Sequence, residues 1–216
     1  MKRVKFSTCT LSFMEDVFGL EPNLRLDTLD DWLKVVAPVT EMEQYQLQQL
    51  QKSLSINIFH WNEQELSLNF IGPIFSAVQF TTKKSNFFAQ RHINGVIDNT
   101  ELFGKTDGLI ASGFRSPKKP YFSFHEFKKE MDSSGDPAGQ NLAAMLVGQV
   151  LNEQKNPIYG CFVNGQNWYF MVLEGKQYAI SNPYFAATEQ GVLDIFRVLK
   201  GLKKMIAELI QKGDEV

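Results

Sequence analysis

The segment Phe122 to Glu130, FSFHEFKKE, constrains this chain more than any other. Read as a β-strand, its side chains alternate between faces, so Phe122, Phe124, Glu126 and Lys128 project the same way. An apolar stripe then runs directly into a carboxylate and an ammonium. Charges on the buried side of a sheet are costly unless something compensates them. The fold therefore has to deliver a compensating group to the end of this strand.

Composition narrows the classes available. The 216 residues are 44% hydrophobic and carry a net charge of -2, so there is core material for an ordinary globular domain and no basic excess pointing to nucleic acid or membrane. The start, MKRVKFSTCTLSFMEDVFG, lacks the apolar run of a secretory signal, and no segment approaches the roughly 20 apolar residues of a membrane span. Cys9 and Cys161 are far apart and Asn-x-Ser/Thr is absent. A cytoplasmic location without membrane contact is the expectation.

Two regions differ in texture. Residues 1–60 read as a helical N-terminal extension. Trp32, Leu33 and Val36 suggest one amphipathic helix, and Met42, Tyr45 and Leu47 another, with Thr40 and Glu43 as a capping box. Residues 61–216 read as an α/β domain. Leu66, Phe70, Ile74 and Val78 mark a helix that Gly72 and Pro73 would kink. A turn is expected at Asp98 to Thr100 between two strands, then the loop FRSPKKP and the Phe-rich strand. Asp136 and Pro137 start a helix through Leu142, Met145, Leu146 and Val150. Asn164 and Gly165 form a hairpin, a further strand follows Gly175, and Gln190 to Lys212 is a closing amphipathic helix.

Some motifs fail on inspection. GKT at 104–106 lacks the glycine that a phosphate-binding loop needs five residues earlier, where Asn99 stands. His60, His92 and His125 have no zinc spacing, and His125 should pack on the face opposite Glu126. A Cys161 and His125 pair has no nucleophile signature.

Asp107 lies on a segment that can pair with the Phe122 strand, which would gather two carboxylates and a lysine at one sheet end. Carboxylate oxygens hold magnesium, which usually keeps several waters, so such a pair makes an open cation site. Lys128 would then face a water or phosphoryl oxygens. Arg115, Lys118 and Lys119 in the adjoining loop are candidate phosphate contacts. Structural readings stand beside these: Asp107 as a turn residue before Gly108, Glu126 and Lys128 as an ion pair, Glu63 and Glu65 as complements of a helix dipole, and Gln140 as a solvent-facing helix residue.

Asp107 followed by Glu126, Phe127 and Lys128 resembles the PD-(D/E)xK nuclease superfamily, over about residues 61–181. WNEQELSLNFIGPIF is similar to the first helix of the restriction-type branch, including type I restriction subunits, with Glu63 at the glutamate position. DPAGQNLAAML resembles the helix that carries a glutamine, at Gln140. Thr106 stands where the family has its naming proline. The resemblance implies a restriction-endonuclease-like αβββαβ core and magnesium- or manganese-dependent cleavage of nucleic acid, DNA before RNA. It implies metal binding by Asp107, Glu126, Glu63 and the Phe127 carbonyl, with Lys128 and Gln140 completing the catalytic set. The alternative is a catalytically silent module of the same fold whose N-terminal helices dock a protein partner.

Overall fold

Asp98 and Asn99 have φ of +46° and +63°, the left-handed pair that a tight hairpin needs and that these residue types tolerate. They join β3 (Ser85–Ile97) to β4 (Thr100–Ser112), and the pairing of Ile97 with Thr100 continues to that of Ser85 with Ser112. The computed structural model describes residues 1–132 and 135–214.

β4 is the organising strand. One of its edges carries β3, and the other is shared. β1 (Lys2–Lys5) runs parallel to Thr100–Phe103, and β5 (Lys118–Lys128) runs antiparallel to Gly108–Ser112. Helix α6 (Pro137–Leu151) then carries the chain across to β6 (Ile158–Asn164), which lies parallel to β5. β7 (Asn167–Glu174) and β8 (Gln177–Ile180) follow antiparallel, with Gly165 at φ +58° in the first turn and Gly175 at φ +59° in the second. Two short strands complete a mixed nine-stranded sheet among the described residues: β2 (Glu21–Pro22) beside β8 and β9 (Tyr184–Phe185) beside β7.

Helices cover both faces. On one lie α2 (Asp27–Leu33), α3 (Glu41–Asn57), α4 (Glu63–Leu66), α5 (Gly72–Val78) and α7 (Glu189–Asp214), whose Trp32, Leu47, Leu66, Phe75 and Phe196 share a core with Phe127 and Phe170. On the other lie α1 (Leu11–Phe18) and α6, packed with Phe88, Leu109 and Phe124. The chain is thus of the α/β class. No helix among the described residues is long and apolar enough to cross a membrane.

The first sixty residues depart from the expected helical extension. β1 and β2 belong to the main sheet, and Trp32 is fully buried between Tyr159 and Phe170, its indole N–H donating to the Val198 carbonyl at 2.9 Å. Isolated strands of two and four residues carry almost no periodic signal; only their partners make them strands. Of the second stripe, Leu47 is buried while Met42 and Tyr45 are exposed, and Val36 lies exposed beyond α2. The capping box at Thr40 and Glu43 is present.

The helix from Trp61 keeps its stripe, with Leu66, Phe70, Ile74 and Val78 all buried. Its kink has a defined form. Ser67–Ile71 make a π-helical turn in which the Gly72 N–H reaches back to the Ser67 carbonyl, just before Pro73, which has no N–H to give. The opening stripe is corrected at one position. Ile110 pairs with Ser123 but Ala111 with Tyr121, so a bulge at Phe122 turns that ring to the α7 side, while Phe124 packs under α6.

Candidate functional site

The shared edge of β4 produces a fork. Its pairing with β1 stops at Phe103 and its pairing with β5 resumes at Gly108, leaving 104–107 without a strand partner on that edge among the described residues. Asp107 stands in this gap. Its Oδ2 accepts a 2.8 Å hydrogen bond from the Phe127 N–H, extending the contact between β4 and β5 by a side chain where the backbone ladder ends.

Alternation slips here as well. Leu102 and Leu109 both face the α6 side although they stand an odd number of positions apart, and so do Phe88 and Ile93 on β3. Both slips bracket Gln90 and Asp107, which face each other where the ladder skips a pair between Ala89–Gly108 and Arg91–Thr106. Gln90 sits in the left-handed region at φ +55°, and its Nε2 donates to Asp107 Oδ1 at 2.7 Å. Each carboxylate oxygen of Asp107 is thereby held by its own donor.

On β5, Glu126 and Lys128 share a face, and Lys128 Nζ lies 3.2 Å from Glu126 Oε1. The same ammonium lies 3.5 Å from Glu63 Oε2 on the first turn of α4, where Asn62 and Glu65 form a capping box. Glu63 is therefore free of the reciprocal cap that engages Glu65. Asp107, Glu126, Lys128 and Glu63 are brought near one another from three places in the sequence, β4, β5 and α4. His125 points the other way, fully buried among Phe75, Phe87 and Phe127.

Three carboxylates surround one ammonium, and their electrostatics reflect it. Burial, and then the Asp107 charge, push the Glu126 carboxyl up to about 8. Burial also raises Asp107, against the pull of the Phe127 hydrogen bond, and raises Glu63 against the Lys128 charge. Burial pulls Lys128 down, but Glu126 and Glu63 outweigh it and hold the ammonium above its ordinary value. Burial drives His125 down to about 3, so it is neutral, and raises the thiol of Cys161, its partner in the β5–β6 register. Both are sealed from solvent, which removes the nucleophile-pair reading.

An open groove of about 610 Å³ leads to Asp107, walled by Glu63, Ser67 and Leu68 on one side and Phe87, Gln90 and Lys105 on the other. Lys105 and Gln90 were not singled out from sequence. The signal for Gln90 was present: a two-residue turn at Asp98 and Asn99 places it opposite Asp107, seven residues along each strand. Gln140 is buried at the start of α6 with its amide against Gly135, and among the described residues it makes no hydrogen bond to the carboxylate cluster. Arg115, Lys118 and Lys119 do not border the cluster. Lys118 begins β5 while Lys128 ends it, and an extended strand of that length spans on the order of 30 Å. The loop was expected beside the site because the hairpin's length was not apparent.

Asp107 and Glu126 offer carboxylate oxygens, the ligand type a hard cation takes. Among the described residues, no three His, Cys, Asp or Glu side chains stand close enough to close a metal shell by themselves. Magnesium does not require that, since it is commonly held by one or two carboxylates with waters retained. Comparison of the chain with protein-family models and with curated proteins finds no match.

Proposed function

We propose that this chain is a metal-dependent hydrolase of phosphodiester bonds in nucleic acid, DNA before RNA, on a restriction-endonuclease-like core. The observation that carries the reading is the convergence of Asp107, Glu126, Lys128 and Glu63 at the fork between β1 and β5. The chain order supports it: a helix, three antiparallel strands bearing Asp107 and then Glu126 and Lys128, a crossover helix and a parallel strand.

Asp107 and Glu126, with the Phe127 carbonyl, would hold magnesium or manganese. The bound ion supplies charge stabilisation at the scissile phosphate and an acidified water. Glu63, half-exposed on the groove wall, would anchor a water or a second cation. Lys128 is kept protonated by its two glutamates, so its part is to donate a hydrogen bond to the attacking water or a phosphoryl oxygen. Lys105, exposed in the groove near Asp107, takes the phosphate-contact role that Arg115, Lys118 and Lys119 are too distant to fill.

One observation favours a second reading. Lys128 bridges Glu126 and Glu63, the ion-pair arrangement a silent fold would keep, and exposed Met42 and Tyr45 on α3 offer a docking edge for a protein partner. The test is incubation with single- and double-stranded DNA and RNA, with and without manganese, for the parent and Asp107→Asn. Manganese-dependent cleavage abolished by the substitution supports the hydrolase. Absence of cleavage on all four substrates together with absence of manganese binding moves the assignment to the interaction module.

A further inference from the structure

The feature around Asp107 that the proposed chemistry leaves unused is Gln90. It stands opposite Asp107 at the position the β3–β4 ladder skips, between the Ala89–Gly108 and Arg91–Thr106 pairs, and its φ of +55° lies in the left-handed region, which is strained for a non-glycine residue. A strand residue keeps such a conformation only where its surroundings demand it. Here the amide donates to Asp107 Oδ1 at 2.7 Å, at the short end of the N–H···O range. The second oxygen takes the Phe127 N–H at 2.8 Å.

Two donors, one on each oxygen and from strands on opposite sides of β4, leave the carboxylate plane no rotational freedom. Each oxygen retains lone-pair capacity after accepting one bond. Gln90 also lines the groove, so the Asp107 oxygens and their amide partner share one water-accessible wall.

We propose that Gln90 is a positioning residue that orients Asp107 as a cation ligand, an inference that rests on the metal-dependent reading above. Outer partners of this kind typically change metal affinity by about 10–100-fold when removed. Gln90→Gly is the informative substitution, because glycine adopts the left-handed conformation without strain and loses only the amide.

The experiment is calorimetric titration of manganese into the full chain, alone and as Gln90→Gly, Gln90→Asn and Asp107→Asn, each also followed by thermal unfolding without metal. The expected result is manganese binding by the parent, loss of it in Asp107→Asn, about 10–100-fold weaker binding in Gln90→Gly with the unfolding temperature little changed, and an intermediate affinity in Gln90→Asn, which tolerates φ above zero but has a shorter reach. If the parent and Gln90→Gly bind alike while Asp107→Asn does not, Gln90 has no positioning role and the hydrolase reading survives. If the parent fails to bind, both fall together. Should Gln90→Gly not fold, Gln90→Asn decides: parent-like affinity in it overturns the inference.

Discussion

Lys128 Nζ stands 3.2 Å from Glu126 Oε1, two residues back on the same strand, with side chains only 16% and 12% exposed. The pair sits at the rim of the sheet, where neither charge reaches bulk water freely. If Lys128 donates to the reacting phosphate, Lys128→Met should lower manganese-dependent cleavage by about 10²–10⁴-fold. Manganese affinity should hold or rise, because a competing positive charge is gone. Single-turnover cleavage with metal titration separates the two, and parent-like cleavage removes Lys128 from the mechanism.

Glu126 and His125 predict a stability plateau for the metal-free protein. Glu126 rises from an ordinary 4.5 to about 8 on folding, so between those values the native state alone holds the proton and stability falls as pH rises. His125 drops from 6.5 to about 3, so between those values only the unfolded state is protonated and stability falls as pH drops. The two slopes cancel between about pH 4.5 and 6.5. Thermal unfolding across pH 3 to 9 should show that plateau with a decline on each side, each limb approaching about 1.4 kcal/mol per pH unit. Glu126→Gln should flatten the alkaline limb and, with its slope gone, turn the plateau into a continuation of the acid limb up to about pH 6.5; if the alkaline limb stays intact, Glu126 is not its source.

Trp32 tests whether the first sixty residues are part of the core. Its ring lies edge-on to Tyr159 and Phe170 at 5.2 Å each. Trp32→Ala should cost about 3–5 kcal/mol in denaturant unfolding, and Trp32→Phe about 1–2, mainly the lost bond to Val198. A cost for Trp32→Ala below about 1 kcal/mol would mean that the N-terminal helices pack only loosely.

Gly148→Ala sets two effects against each other. Alanine is better than glycine in a helix interior by about 0.8–1 kcal/mol. At 148, however, a Cβ would collide with the Phe124 ring, buried between α6 and the sheet, and overpacking typically costs about 1–3 kcal/mol. A net loss of about 1–2 kcal/mol is expected, most readily seen as a lower denaturant midpoint. A gain would show that Phe124 can yield.

Much of the fold was legible where local chemistry is decisive. Asp136 accepts from the Gly139 N–H and starts α6, the β6–β7 hairpin forms one residue beyond the expected pair, with Gly165 and Gln166 in its turn and Asn164 paired to Asn167, and Phe196, Leu199, Leu202 and Ile206 of α7 are buried as their spacing required. Lys128 pairs with Glu126 and Glu63, and Asp107 is tied to the same strand through the Phe127 N–H, while Gln140, Arg115, Lys118 and Lys119 stand apart from them, for distance along a strand or depth in a helix start leaves no mark in a motif. The bulge at Phe122 was equally silent: alternation assumes a regular ladder, and one extra residue inverts it.

By itself, then, the amino-acid order determined the long helices, the tight turns and the faces of α6 and α7, since these follow from backbone preference and periodicity within a few residues. Tertiary structure alone decided that Lys2–Lys5 would share an edge of β4 with β5 and that a gap would open at Asp107. Those outcomes depend on pairings between segments up to a hundred residues apart, whose free energy appears only when both partners are in place.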